Sequence, residues 1–138
     1  MADQIRVHAQ AQCSPDALWH TLVENRAAWW PELEFSASPG APLSEGWGPE
    51  ETRHSGTVLA VAPGRLLSFR WTAPDWNAYT VVSFQLAGGE LDAGPEATDV
   101  TVTESGLAAL SAGGGGAQEH TAQWSARLAD LISRAEGP

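Results

Sequence analysis

The chain of 138 residues has no lysine, one cysteine (Cys13), one methionine and one tyrosine. A lone cysteine excludes an internal disulfide and a cysteine-rich zinc site, and it fits a reducing compartment. Without lysine, seven arginines face seventeen acidic residues, and the formal net charge is −10. A field of that sign repels nucleic acid and anionic bilayers, so neither is an expected partner. No stretch approaches the roughly 20 apolar residues that cross a bilayer, and "MADQIRVHAQ" holds no basic segment followed by an apolar run. A cytoplasmic protein with no membrane insertion is expected. Nucleophile signatures are missing as well: there is no G-x-S-x-G and no S-x-x-K, and the glycines from Gly113 to Gly116 lack the Lys and Ser/Thr of a phosphate loop.

What is present is patterning. In "IRVHAQA" Ile5, Val7, Ala9 and Ala11 alternate with polar residues at the period of a half-buried strand. Ser14 before Pro15 and Asp16 reads as a helix N-cap, and Leu18, Trp19, Leu22 and Val23 share one face of the helix that follows. "ENRAAWWPELE" predicts a second short helix or turn, ended by Pro31. An irregular crossing is expected from Pro39 to Pro49. "SGTVLAVA" and "RLLSFRWT" flank Pro63-Gly64, a type II turn signal, and predict an antiparallel hairpin. "YTVVSFQLA" and "TDVTVTE" continue the meander, with Val82, Phe84 and Leu86, then Val100 and Val102, on one face.

"SAGGGGAQ", Ser111 to Gln118, reads as a linker. Beyond it His120, Trp124, Leu128 and Leu131 form an apolar stripe on a long helix, and the sheet is the only large apolar partner available to bury it. The fold class is therefore α+β, in one domain over residues 1–138: a strand, two short helices, a run of antiparallel strands and a long C-terminal helix.

Several segments together resemble the START-like, or SRPBCC, superfamily, in the branch related to the activator of the heat-shock chaperone ATPase. "SPDALWHTL" is similar to the opening helix, "WWP" to an aromatic pair, and "GTVLAVAPGRLLSFRW" to the central hairpin. "TVVSFQL" and "TDVTVTESG" resemble the next strands, and "QWSARLADL" the final helix. The resemblance implies a helix-grip fold, a bent antiparallel sheet wrapped around the C-terminal helix, often with a cavity between them. It also implies a choice of roles: binding apolar molecules, cyclase or hydratase activity, or contact with a chaperone. Gln123, where related chains often have Gly, and the glycine-rich loop from Leu107 to Gly116 depart from the pattern near the expected cavity entrance.

On that fold Trp30, Trp47, Phe69, Trp71, Phe84 and Trp124 are placed around a cavity or over its mouth, with Leu128 and His120 on the same helix stripe. Two readings stand, ligand lining and simple core filling. Adjacent residues on a helix diverge by about 100°, so Trp30 is expected to point inward and Trp29 to lie over the rim. His8, His20, His54 and His120 show no zinc-like spacing, and no metal or other cofactor is expected. His120 either faces the cavity or sits on the helix surface. For acid–base chemistry His120, Glu104 and Tyr79 are the candidates, Tyr79 and Glu104 being expected at solvated strand ends. The acidic trio Glu45, Glu50 and Glu51 around Trp47 reads as a solvated loop, or as a patch for a basic protein partner. Binding of a small hydrophobic or amphipathic molecule in an apolar cavity of about 300 Å3 or more is the expected role, ahead of catalysis, with a chaperone as the alternative partner.

Overall fold

Alternation of apolar and polar residues builds the sheet that the patterning predicts. A computed structural model describes residues 4–46, 52–88, 97–110 and 116–136. Among them are seven strands: β1 (Gln4–Ala11), β2 (Leu33–Phe35), β3 (Pro42–Gly46), β4 (Thr52–Ala62), β5 (Leu66–Thr72), β6 (Thr80–Gly88) and β7 (Thr98–Ser105). They pair antiparallel in the order β1-β7-β6-β5-β4-β3-β2. The hairpin turn between β4 and β5 carries Gly64 at φ 81°, the left-handed value that the third residue of a type II turn requires. Irregularities in register between Val58 and Ala60 in β4, and between Glu45 and Gly46 in β3, are the bulges that let a sheet bend.

Two helical elements close the open face. In α1 (Pro15–Trp19) the Ser14 hydroxyl caps the Ala17 amide at 3.1 Å, as Ser-Pro-Asp predicts. The helix then widens into a π-helical turn over His20–Glu24, and a short 3-10 turn follows at Arg26–Ala28. The long helix α2 (Ala117–Ala135) buries the stripe His120, Trp124, Leu128 and Leu131. Its stripe meets the inward rows of the strands, including Leu67, Phe69, Val82, Phe84, Val100 and Val102, in one core. At roughly 25 cal/mol per Å2, these rows supply most of the drive for closing sheet on helix. The result is the helix-grip arrangement.

Two expectations are corrected. Between Pro39 and Pro49 the chain is not simply irregular, because residues 42–46 form β3, with Leu43 and Glu45 buried. The strand signal was hidden: one of its two inward residues is charged, and Pro42 opens the strand at the one position where proline costs nothing. Trp29, expected over the rim, is only 5% exposed and packs edge-on against Trp30 at 5.4 Å between ring centroids.

Candidate functional site

Strand register and helix spacing together bring two glutamates, two histidines and four tryptophans to one end of the fold. Glu45 of β3 lies directly opposite His54 of β4. Their side chains meet, His54 Nδ1 to Glu45 Oε1, at 2.6 Å. The other oxygen of Glu45 accepts from the Trp30 indole at 2.9 Å and from Arg127 at 3.2 Å. On β7 the inward row Thr98, Val100 and Val102 continues to Glu104, which is fully buried. His120 Nδ1 lies 2.6 Å and Trp124 Nε1 3.0 Å from Glu104 Oε1. Trp71 Nε1 at 3.3 Å and the Thr80 hydroxyl at 2.5 Å donate to Oε2. Positions 120 and 124 are one helical turn apart on α2, so one carboxylate reaches both.

Each cluster thus has the same parts: a buried carboxylate, an imidazole at 2.6 Å and at least one indole N–H. A buried carboxylate is costly unless its lone pairs are filled by good donors, and here seven contacts fill four oxygens. Burial pushes the carboxyl of Glu45 up, but the hydrogen bond and charge of His54, the Trp30 indole and Arg127 outweigh it and hold the group below its ordinary value. In Glu104 burial acts the same way, and His120, Thr80 and Trp124 overcome it. Both are therefore ionised at neutral pH and accept only, which requires the Nδ1 of each histidine to carry the proton.

Between these clusters lies a pocket of about 280 Å3, bounded by α2 on one side and β3, β4 and β5 on the other. Trp30, Trp71, Trp76 and Trp124 supply its flat walls. His54 stacks on Trp71 at 3.9 Å with the planes 16° apart, while Trp76 touches His54 and His120 edgewise or at a tilt. Arg127 sits over the Trp30 ring at 4.2 Å, a cation–π contact. Arg53 and Gln123 complete the lining.

Of the residues expected around a cavity, Trp30, Trp71, His120 and Trp124 line this pocket. Phe69, Phe84 and Leu128 do not; they are at most 2% exposed inside the packed core. There the rings and methyls of sheet and helix pack against one another in one buried cluster. Trp47, Glu50 and Glu51 lie outside the described residues. The pocket itself is not the apolar hollow expected, since six of its ten lining residues are polar or charged. Glu104 and Glu45, read as solvated, are both buried, whereas Tyr79 is 52% exposed. His120 is buried and not on the helix surface.

Arg53, Trp76 and Arg127 had no signal of their own. For Glu104 a signal existed: extending the alternation of Val100 and Val102 by two residues places it inward. Among the described residues no group of three or more His, Cys, Asp or Glu is placed to hold a metal ion. Among the described residues, too, no helix is long and apolar enough to cross a membrane.

Residues 12–135 match the family model described as Activator of Hsp90 ATPase homolog 1-like protein. The chain belongs to that family. No curated protein sequence matches it. Among solved structures, DynU16, a protein of the dynemicin biosynthetic locus, superposes with a TM-score of 0.78 at 24% identity, over 99% of this chain and 48% of DynU16. The chain thus spans about half the length of DynU16. PFC0360w, an HSP90 activator from Plasmodium falciparum, gives 0.77 at 14% identity over 99% of each chain. CalU16 from Micromonospora echinospora gives 0.73 at 18% identity, over 98% of this chain and 76% of that one. At such identities the likeness is one of fold. An HSP90 activator and a protein of a biosynthetic locus share it, so the fold by itself does not fix the role.

Proposed function

We propose that this member of the Activator of Hsp90 ATPase homolog 1-like family binds a small, flat, amphipathic molecule in the pocket between β3–β5 and α2. The observation that carries the reading is the pocket's construction: four tryptophans around about 280 Å3, with imidazole, guanidinium and amide groups in the same lining. Aromatic walls remove a ring from water, and a few placed polar groups orient it. The volume sits at the low end of ligand sites and suits a molecule of one or two fused rings better than a long acyl chain. Two indoles that line the pocket donate to Glu104 and one to Glu45, so the walls are held at fixed angles before a ligand arrives.

Native mass spectrometry after gentle purification, and quenching of tryptophan fluorescence by a panel of flavonoids, aromatic polyketides and fatty acids, test the reading. Saturable quenching by ring compounds is expected. Gln123 is an exposed pocket residue on α2, so Gln123→Trp fills the space without touching the core and is expected to weaken binding about tenfold or more. Saturable quenching left unaltered by that substitution would move the site elsewhere, and no response to any ring compound would remove the reading.

Family membership favours a second reading, contact with a chaperone of the Hsp90 type through an external surface. An increase in chaperone ATPase turnover on addition of this protein supports it. Unchanged turnover at saturating protein removes it.

A further inference from the structure

We infer that the ligand class of this pocket is a planar aromatic or conjugated anion, a ring carrying a carboxylate or phenolate, with Arg53 as the group that recognises the charge. The inference rests on the small-molecule reading of the same pocket and adds the sign of the ligand. It follows from which polar groups are already used. Glu104 is fully buried and its two oxygens take four donors. Glu45 is 3% exposed and takes three. The acceptor positions of Glu104 are filled and Glu45 keeps one of four, so most of the negative charge beside the pocket is spent on its own walls.

The positive side is only partly spent. Arg127 is committed to Glu45 through one nitrogen and to the Trp30 face through its plane. Arg53, on the exposed part of β4, lines the pocket and makes no ion pair or hydrogen bond among the described residues. Its five N–H donors are fixed in a fork that fits a carboxylate. Beside it stands His54, whose Nδ1–H is tied to Glu45, so that Nε2 of the neutral ring is an acceptor suited to a ring hydroxyl of the ligand and not to its charge. Gln123 adds an amide. The one uncommitted charge that a ligand meets among the described residues is therefore the Arg53 guanidinium, beside two polar groups, His54 and Gln123, that can each accept. A cation meets a like charge there, and a neutral ring leaves the guanidinium unanswered.

The net charge of −10 argues against an anionic ligand only at long range. At physiological salt the Debye length is about 8 Å, so scattered surface acids are screened before they reach a group in contact with Arg53. A contact hydrogen bond between guanidinium and carboxylate inside a partly enclosed site is screened far less.

The test uses three probes of one shape on the full chain, read by tryptophan quenching and calorimetry: 2-naphthoate, its methyl ester, and 2-naphthylmethylammonium. Naphthoate is expected to bind about tenfold or more tighter than the ester, as one charge-assisted hydrogen bond provides, with the cation weakest. In Arg53→Gln the preference for naphthoate over ester is expected to vanish, and Arg53→Lys is expected to restore part of it. Ester or cation binding as tightly as naphthoate overturns the anion assignment and leaves the small-molecule reading intact. A preference for naphthoate that persists in Arg53→Gln overturns the role of Arg53. Failure of all three probes, with the protein folded, overturns the assignment together with the reading on which it rests.

Discussion

Glu104 is the residue on which the site's order most depends, because one side chain holds an imidazole, two indoles and a hydroxyl in place. Glu104→Gln keeps the shape but turns one acceptor oxygen into a donor, which on either side then faces an indole N–H, Trp124 or Trp71, that can only donate. Breaking a buried charged network in this way costs about 3 kcal/mol, and urea denaturation at pH 7 is expected to show it. The pH dependence has a definite sign. Both Glu104 and Glu45 are held below the ordinary glutamate value of 4.5 in the folded chain. A group whose folded value is depressed adds stability above its unfolded value and loses it as pH falls through the folded one. Stability is therefore expected to drop as pH is lowered below 4.5. The drop should be steeper in the wild type than in a Glu45→Gln, Glu104→Gln double variant. Parallel urea midpoints for the two proteins from pH 5 to pH 3 would contradict the assignment.

At the scale of elements, β4 and β5 bring Arg53, His54 and Trp71 to the pocket. Gly56 of β4 faces Trp71 of β5, and a methyl group there would run into the carbonyl oxygen of Arg70 and lie 2.7 Å from the Trp71 Cα. Both obstacles are backbone, so neither can swing aside. Gly56→Ala is expected to destabilise the fold by about 3 kcal/mol, or to prevent folding, while Gly88→Ala at the end of β6, where nothing crowds the added methyl, stays within about 0.5 kcal/mol. Because Trp71 moves with β5, a folded Gly56→Ala protein should also lose ring-ligand affinity. Thermal unfolding and fluorescence titration of the same sample check both.

For the whole molecule, sheet and helix act as a frame that holds an already ordered pocket. A ligand that binds only the folded chain raises stability by about 2.7 kcal/mol at one hundred times its Kd, with an unchanged urea m-value if the frame does not open. A changed m-value would show instead that binding reshapes the sheet. Much of this frame was legible in the chain. The alternating rows of β1, β4, β5, β6 and β7, the Ser14-Pro15 cap, the Pro63-Gly64 turn and the helix stripe from His120 to Leu131 each follow from a local period or a local turn preference. The short strands β2 and β3 were not, because three to five residues carry too little period and Glu45 breaks the apolar row.

The sequence by itself determined the α+β class, the meander, the amphipathic C-terminal helix and the concentration of indoles, since each depends on neighbours a few positions apart. Only the tertiary structure decided that Glu45 meets His54 and that Glu104 meets Trp71, Thr80, His120 and Trp124. Those partners lie between 9 and 33 positions away. Whether a charged side chain at an inward position is a misplaced surface residue or the centre of a buried network depends on donors brought from other elements, and no local period records them.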